Sequence, residues 1–582
     1  MTVGAECALC PAFHQDRRVK LAPLSLRIRK LASTRLGLKS LRPGQLDAVK
    51  ALAKGKDVLV VMPTGAGKSA VYQLAGLLLD GPTVVVSPLI ALQRDQLAGL
   101  ARHGEDAGLG AVAVNSAQSQ GRTDEAWETL TAGDAEFVFL APEQLANQKV
   151  LERLAELKVS LLAVDEAHCV SAWGHDFRPH YLRIGDVVEA LGRPRVLALT
   201  ATAAPPVRAE IVERLRMNDP VRIVTGFDRP NLDLEVRRFV DARHKEKAVV
   251  ERVVELEGSG LVYSATRRST EEYAEQLREK GRKARAYHAG LKAAERDEVH
   301  AGFLSGEIDV VVATSAFGMG INKADVRFVV HADVPDSIDS YYQEIGRAGR
   351  DGAPALACLY YRPEDLSLRN FFASGGPDEE VLSQVAGAVL EHTREDGSVP
   401  AGELRKELDL SHTKLTSAVN LLEQAGALRV EEDAHLAYTD VSVPAAAAVV
   451  AAGEVDAEHT RMDRSRVEMM RGYAETTGCR REFLLGYFGE ELEAGDAGCG
   501  NCDTCRSGSA AEQDEVEESV PPEVAALVFD INERVVHREW GPGVVMRDEA
   551  DRITVLFEQV GYRTLALAAL AADDELLVRE EQ

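Results

Sequence analysis

Aromatic residues are scarce in this chain, 5% of its 582 residues with three tryptophans, so a short stretch that gathers several rings stands out. Cysteines number eight, too few over such a length for a disulfide framework. No apolar run approaches the roughly 20 residues that span a bilayer. The first residues lack the apolar core and small-residue cleavage site of a signal peptide. These absences lead to the expectation of a cytoplasmic protein with reduced thiols. Positive charge is also in deficit: 67 Lys and Arg stand against 93 Asp and Glu, a formal net charge of −26. That balance excludes a protein that coats nucleic acid by bulk charge alone. It leaves room for local basic patches such as residues 17–42, because acidic stretches such as 512–518 dominate the sum.

What the chain does have is alternation of short β-rich runs with helical stretches, the pattern of parallel sheets covered by helices. One set of runs falls at 57–62, 83–87, 136–140, 160–165 and 195–200. A second falls at 260–264, 283–287, 309–313, 327–331 and 355–361. Ligands in such sheets bind at the carboxyl ends of the strands. After the first run comes Met62-Pro63-Thr64-Gly65-Ala66-Gly67-Lys68-Ser69 and then a helical stretch. Backbone N–H groups in such a turn converge on phosphate oxygens, and the helix N-terminus adds partial positive charge. A strict phosphate loop has glycine where Met62 stands, but Gly65 to Ser69, the anion nest, is intact. Lys68 can reach the β- and γ-phosphates, and the Ser69 hydroxyl can hold Mg²⁺.

The run at 160–165 ends in Asp165-Glu166. Asp165 is placed to hold Mg²⁺, and Glu166 to orient or deprotonate an attacking water. The loop at 168–181 follows directly and gathers Trp173, Phe177 and Tyr181 around Arg178; rings beside an arginine can stack on bases without reading sequence, or simply pack beneath the loop. In the second set, Gln343 precedes Arg347 and Arg350, two arginines expected on one helical face. A guanidinium fork suits a transferring phosphoryl group, and a clamp arriving from a separate domain would make hydrolysis depend on domain closure.

From about residue 377 the alternation stops. Stretches 381–392, 401–407 and 411–424 read as helices, with Ser411 as an N-cap, and 428–430 and 436–438 as a wing. That is a winged-helix pattern, with DNA contact and protein contact both open because its third helix carries little positive charge. Cys479, Cys499, Cys502 and Cys505 have the spacing of a closed four-thiolate zinc site. Cys7 and Cys10, with His14 nearby, are a weaker metal signal, and Cys169 and Cys358 read as small hydrophobes. Past an acidic linker, short β runs at 534–538, 543–547, 552–557 and 562–567 suggest a small SH3-like or Tudor-like barrel.

Taken together the motifs resemble the RecQ family of superfamily 2 DNA helicases. The markers are Leu41-Arg42-Pro43-Gly44-Gln45, MPTGAGKS (62–69), SPLIALQRDQ (87–96), DEAHCVSAWGHDFRPHY (165–181) and LTATA (199–203). Further markers are YHAGL (287–291), ATSAFGMGINKADVR (313–327), QEIGRAGRDG (343–352), Cys479-Arg480-Arg481 and the stretch 484–490. The resemblance implies ATP-dependent unwinding with 3′-to-5′ translocation on single-stranded or forked DNA, in repair or recombination. It implies a catalytic set of Lys68, Asp165, Glu166, Gln343, Arg347 and Arg350. ATP binding would involve Arg42 and Gln45 at the adenine with Thr64, Gly65, Ala66, Gly67, Lys68 and Ser69 at the phosphates. DNA binding would involve His168, Ser171, Trp173, His175, Phe177 and Arg178. Cofactors would be ATP, Mg²⁺ on Ser69 and Asp165, and Zn²⁺ on the four cysteines, in a cytoplasmic protein associated with the bacterial nucleoid.

The chain departs from that pattern in three places. Leu36, Leu38 and Leu41 stand where aromatics usually flank the adenine motif. The winged-helix-like stretch precedes the zinc segment instead of following it. The tail, through Val535-Val536-His537, Trp540-Gly541-Pro542-Gly543 and 553–557, resembles the Tudor-like end of UvrD/PcrA-type helicases, which implies a protein partner such as RNA polymerase. A duplex translocase, or a DNA-binding scaffold switched by ATP, is the alternative activity. The expected layout is an α/β chain of two tandem RecA-like motor domains with appended modules. The N-terminal extension is 1–25, the motor domains 26–215 and 216–370, and the winged-helix-like domain 375–445. A zinc-binding domain at 455–508, an acidic linker at 509–521 and a Tudor/SH3-like domain at 522–582 complete it.

Overall fold

The structure is a computed structural model. It describes residues 23–580 except 89, 102–109, 116–117, 172–177, 319–322, 374–375, 432–433, 493–497, 511–528, 532, 550–551, 558 and 574. Cys7, Cys10, His14, most of the acidic linker, and Trp173, His175 and Phe177 therefore lie outside the described residues.

The first lobe is built on β1 (Val58–Val61), β2 (Thr83–Val86), β3 (Ala111–Val114), β4 (Phe137–Leu140), β5 (Leu161–Val164), β6 (Arg195–Thr200) and β7 (Val221–Val224). They form one parallel sheet of order β3-β4-β2-β5-β6-β1-β7. The central strands are apolar runs because both faces are covered. Leu59, Val61, Leu162 and Val164 enter one core, while Val58, Val60, Leu161 and Ala163 enter the core on the opposite face. The edge strands β3 and β7 escape the sequence reading. In β7 most residues are exposed or half-exposed, so no continuous apolar run marks it. Its pairing with β1 carries the first lobe past the boundary expected at 215/216.

The second lobe comprises β8 (Leu232–Arg238), β9 (Ser259–Tyr263), β10 (Ala284–Tyr287), β11 (Val310–Ala313), β12 (Val326–His331) and β13 (Ala355–Tyr361), in the order β10-β11-β9-β12-β13-β8. Strand β8 also goes unread in the sequence, although Leu232, Leu234 and Val236 alternate with polar residues at strand spacing.

Beyond the lobes, helices Glu379–Asp396, Ala401–Glu407 and His412–Gln424 pack with a three-stranded antiparallel sheet of β14 (Val399–Pro400), β15 (Leu428–Val430) and β16 (His435–Tyr438), around their own core. Ser411 caps the third helix, accepting a hydrogen bond from the Lys414 N–H at 3.3 Å. A 31-residue helix, Ala445–Glu475, then runs through the 445/455 boundary expected from sequence and leads to the cysteines. The chain ends in an antiparallel sheet of β17 (Arg534–His537), β18 (Gly541–Glu549), β19 (Arg552–Phe557), β20 (Gly561–Ala566) and β21 (Leu577–Arg579). Among the described residues no helix is long and apolar enough to cross a membrane.

Candidate active site between the lobes

In the first sheet β6 alone separates β1 from β5 and all three run parallel, so the loop after β1 and the carboxylates after β5 meet at the carboxyl end of the sheet. Gly65 and Gly67 both adopt φ of +83°, a conformation that residues with a Cβ rarely take, and this turns the loop into a cradle. Helix Ser69–Gly76 leaves directly from it. Lys68 lies in the cradle with Nζ donating to the Met62 carbonyl at 3.2 Å. Burial pushes its pKa down, against the pull of Glu166 and Asp165, while Arg350 adds to the depression. Arg42 and Gln45 both bind this loop. Gln45 Nε2 donates to the Gly67 carbonyl at 2.9 Å and the Ala66 carbonyl at 3.2 Å, and Oε1 accepts from the Arg42 N–H at 2.8 Å. The Arg42 guanidinium donates to the Gly65 carbonyl.

Asp165 and Glu166 follow β5. Burial, then the neighbouring Glu166 charge, pushes the Asp165 carboxyl up to about 7 against the opposing Lys68. Glu166 has φ of +48°, left-handed and unusual for its type, at a strand end where strain marks function. Its Oε2 is buried, lies 3.4 Å from His168 Nδ1 and accepts no hydrogen bond among the described residues, which fits a water-orienting base. Next to it the His168 ring meets Thr200 Oγ1 at 2.9 Å. That hydroxyl donates to the Thr202 carbonyl, so His168 is the donor, through Nδ1.

His168 and Ser171, both expected to contact DNA, are buried, with their side chains turned into the first lobe. Ser171 donates to Glu210 Oε2 at 2.6 Å. Both residues tie the carboxylate loop to β6 and helix Pro205–Arg214, an inward role that their places in a polar motif did not reveal. Arg178 Nη1 donates to the Pro88 carbonyl at 3.1 Å and so joins the 168–181 loop to the 87–96 segment.

From the second lobe comes helix Ile338–Ile345, on which Gln343 is half-buried. The helix stops at Ile345, and Arg347 and Arg350 lie on the turns beyond it, so the expected shared helical face is absent. The two side chains diverge. Arg347 is buried and donates to the Gly318 carbonyl within its own lobe. Arg350 crosses to the first lobe, where a Cβ on Gly65 would stand 3.2 Å from its Cδ. Burial, followed by the like charges of Arg347 and Arg229, pushes Arg350 down to about 9. A triphosphate between Lys68 and Arg350 would relieve that repulsion, so the donor set suits an anion. Ser69 Oγ and Asp165 supply the oxygen donors a hard divalent cation takes.

Three contributors were not read from the sequence. Gln96 accepts from the Tyr72 hydroxyl at 2.9 Å and donates to Ser69 Oγ at 3.0 Å, tying the 87–96 segment to the cradle. Arg229 donates to the carbonyls of Gly346, Ala348 and Gly349, holding the arginine turn. In the connection between the lobes Phe227 stacks on Phe488 at 4.2 Å, and its N–H donates to Glu490 at 2.6 Å. Only the 484–490 motif hinted at these contacts, and nothing in its spacing pointed to the interlobe connection.

The sulfurs of Cys479, Cys499, Cys502 and Cys505 all lie within 4.8 Å of one another, with Cys499 and Cys505 at 3.9 Å. About 3.8 Å is the edge of a tetrahedron with zinc–sulfur bonds near 2.3 Å, so the four fit Zn²⁺. Gly498 is required beside them, since a Cβ there would sit 2.8 Å from the Cys505 sulfur. This segment docks on β8: Leu234 N–H donates to the Asn501 carbonyl, and Arg480 pairs with Asp503, whose carboxylate accepts from the Val236 N–H at 3.0 Å.

Residues 42–210 match the DEAD/DEAH box helicase family, 244–352 the helicase conserved C-terminal domain, and 443–506 the RecQ zinc-binding family. The probable ATP-dependent DNA helicase RecS of Bacillus subtilis is 34% identical over 472 residues, 81% of this chain and 90% of that protein. ATP-dependent DNA helicase RecQ of Pasteurella multocida is 42% identical over 332 residues, 57% of this chain and 51% of that protein. RecQ of Bacillus subtilis is 38% identical over 361 residues, 62% of this chain and 60% of that protein. The chain thus spans most of the RecS protein and a little over half of the RecQ proteins.

Proposed function

The chain belongs to the RecQ family of ATP-dependent DNA helicases, and we propose that it moves 3′ to 5′ along single-stranded DNA and unwinds forked duplexes, in DNA repair or recombination. ATP binds between the lobes, with its phosphates in the Gly65–Ser69 cradle. Mg²⁺ is held by Ser69 and Asp165, Glu166 orients and deprotonates the attacking water, and Arg350 stabilises charge on the transferring phosphoryl group. Gln343 and Arg347 act from the second lobe, Arg347 by fixing the turn that presents Arg350. The observation that carries this reading is the Arg350 side chain lying over Gly65. Such a contact between lobes makes hydrolysis and lobe closure a single event. DNA runs past the 168–181 loop, with Trp173, His175, Phe177 and Arg178 as its contacts. The Arg178 bond to Pro88 supports coupling of that loop to the motor.

The module at 379–438 is read as a winged helix and the C-terminal sheet as Tudor-like, a platform for a protein partner such as RNA polymerase. Unwinding assays on 3′-tailed, 5′-tailed and forked duplexes test the proposal. Strand separation from the 3′-tailed and forked substrates alone is expected. Triplex displacement without strand separation would make the protein a duplex translocase.

A further inference from the structure

The C-terminal sheet is built into the motor. Gly561, at the start of β20, rests on helix Ala445–Glu475 so closely that a Cβ would stand 2.7 Å from Ser465 Cβ. The Arg547 guanidinium lies 4.1 Å from the centre of the Phe483 ring in helix Arg480–Tyr487. Within this seam the Tyr562 hydroxyl donates to the Tyr487 hydroxyl at 3.0 Å, and the Tyr487 hydroxyl donates to the Asp339 carboxylate. All three side chains are buried. Burial also drives both phenols well above their ordinary pKa, so each keeps its proton. With one proton per hydroxyl and a carboxylate at the end, the chain of bonds has a single direction, from the C-terminal sheet to the second lobe.

Asp339 occupies the first turn of helix Ile338–Ile345. The other end of that helix leads into the turn carrying Arg347 and Arg350. Two more side chains fix it from the same region: Tyr341 meets the Tyr473 hydroxyl at 3.1 Å, and Tyr342 donates to the Phe227 carbonyl at 2.6 Å. At the front, a Cβ on Gly346 would stand 3.9 Å from Thr64 Cβ. A short helix held at its back, and continued at its front by a turn beside the phosphate loop, transmits small displacements. A misplacement of about 1 Å can cost on the order of 10²-fold in rate.

We propose that Asp339, Tyr487 and Tyr562 are positioning residues through which the C-terminal sheet sets the placement of Arg350 over the phosphate loop, and with it the rate of ATP hydrolysis. The proposal rests on the reading of Arg350 as the phosphoryl-stabilising group.

The test uses the full chain with Tyr562→Phe, Tyr487→Phe, the double variant and Arg350→Gln. Each is assayed for DNA-stimulated ATP hydrolysis, with zinc content and active-site titration to count folded protein. Tyr562→Phe is expected to lower kcat about three- to tenfold with KM for ATP unchanged. Tyr487→Phe lowers it at least as far, and the double variant no further than Tyr487→Phe, because the bonds act in series. Unchanged kcat per folded site in Tyr562→Phe overturns the proposal, as does a double variant whose losses multiply. If Tyr487→Phe does not fold, the kcat-against-KM split of Tyr562→Phe decides alone. Normal hydrolysis by Arg350→Gln would end the reading of Arg350 itself. An inactive Arg350→Gln beside a fully active Tyr562→Phe would end only the positioning chain.

Discussion

Arg350 of the second lobe lies against Gly65 of the first, with its Cδ 3.2 Å from where a glycine Cβ would be. It does so as a half-buried cation near other cations, and desolvation followed by the charges of Arg347 and Arg229 lowers its pKa to about 9. A charge penalised in the folded protein lowers stability at neutral pH, where it remains protonated. Arg350→Gln is therefore expected to raise the melting temperature of the nucleotide-free protein by a few degrees while lowering kcat for ATP at least about 100-fold. Thermal melts beside steady-state hydrolysis check both halves. A destabilised and inactive variant would count against the electrostatic account.

Gln45 joins the Arg42 backbone to the carbonyls of Ala66 and Gly67. A residue that holds the phosphate cradle acts on every nucleotide. Gln45→Ala is expected to raise KM for ATP and for GTP by similar factors, about tenfold. A loss confined to ATP would show that adenine recognition is its main task.

Asp165 has its pKa raised to about 7, first by burial and then by Glu166. The folded state then keeps a proton that the unfolded chain releases near pH 4, so this group's contribution to stability falls as pH rises from about 4 to about 7. Asp165→Asn is expected to leave the melting temperature unchanged near pH 4 and to raise it above about pH 7. In the parent protein the Mg²⁺ requirement for hydrolysis should grow about tenfold for each pH unit below about 7, because the ligand must first lose its proton. Melts and Mg²⁺ titrations at several pH values measure both slopes. A flat pH dependence in the variant comparison would refute the shift.

The four cysteines sit on a segment that bonds to β8 and whose continuation, Phe488 and Glu490, touches the connection between the lobes. Chelation is expected to release about one zinc per chain, lower the melting temperature and reduce ATP hydrolysis together. Metal analysis during a chelator titration tests this. Full hydrolysis in zinc-free protein would separate the segment from the motor.

The chemistry that one short stretch of backbone supplies was legible in the sequence. The phosphate cradle depends on Gly65, Gly67 and Lys68 in one turn, Asp165-Glu166 on the end of one apolar run, and three of the four thiolates on a seven-residue span. Such features survive translation into structure because φ, strand period and ligand spacing are local properties. The fate of side chains in the same motifs was not legible. His168 and Ser171 turned inward, and Arg347 and Arg350 parted, because a helix ended at Ile345.

The order of residues along this chain thus settled that it carries an anion nest, a carboxylate pair and a thiolate cluster on α/β lobes. Packing alone decided which arginine crosses the cleft, how the cysteine segment grips β8, and that Tyr562 meets Tyr487 and, through it, Asp339. Those contacts join residues from 75 to more than 260 positions apart, and their geometry is fixed by how sheets and helices bury their faces against one another, for which no short-range spacing exists.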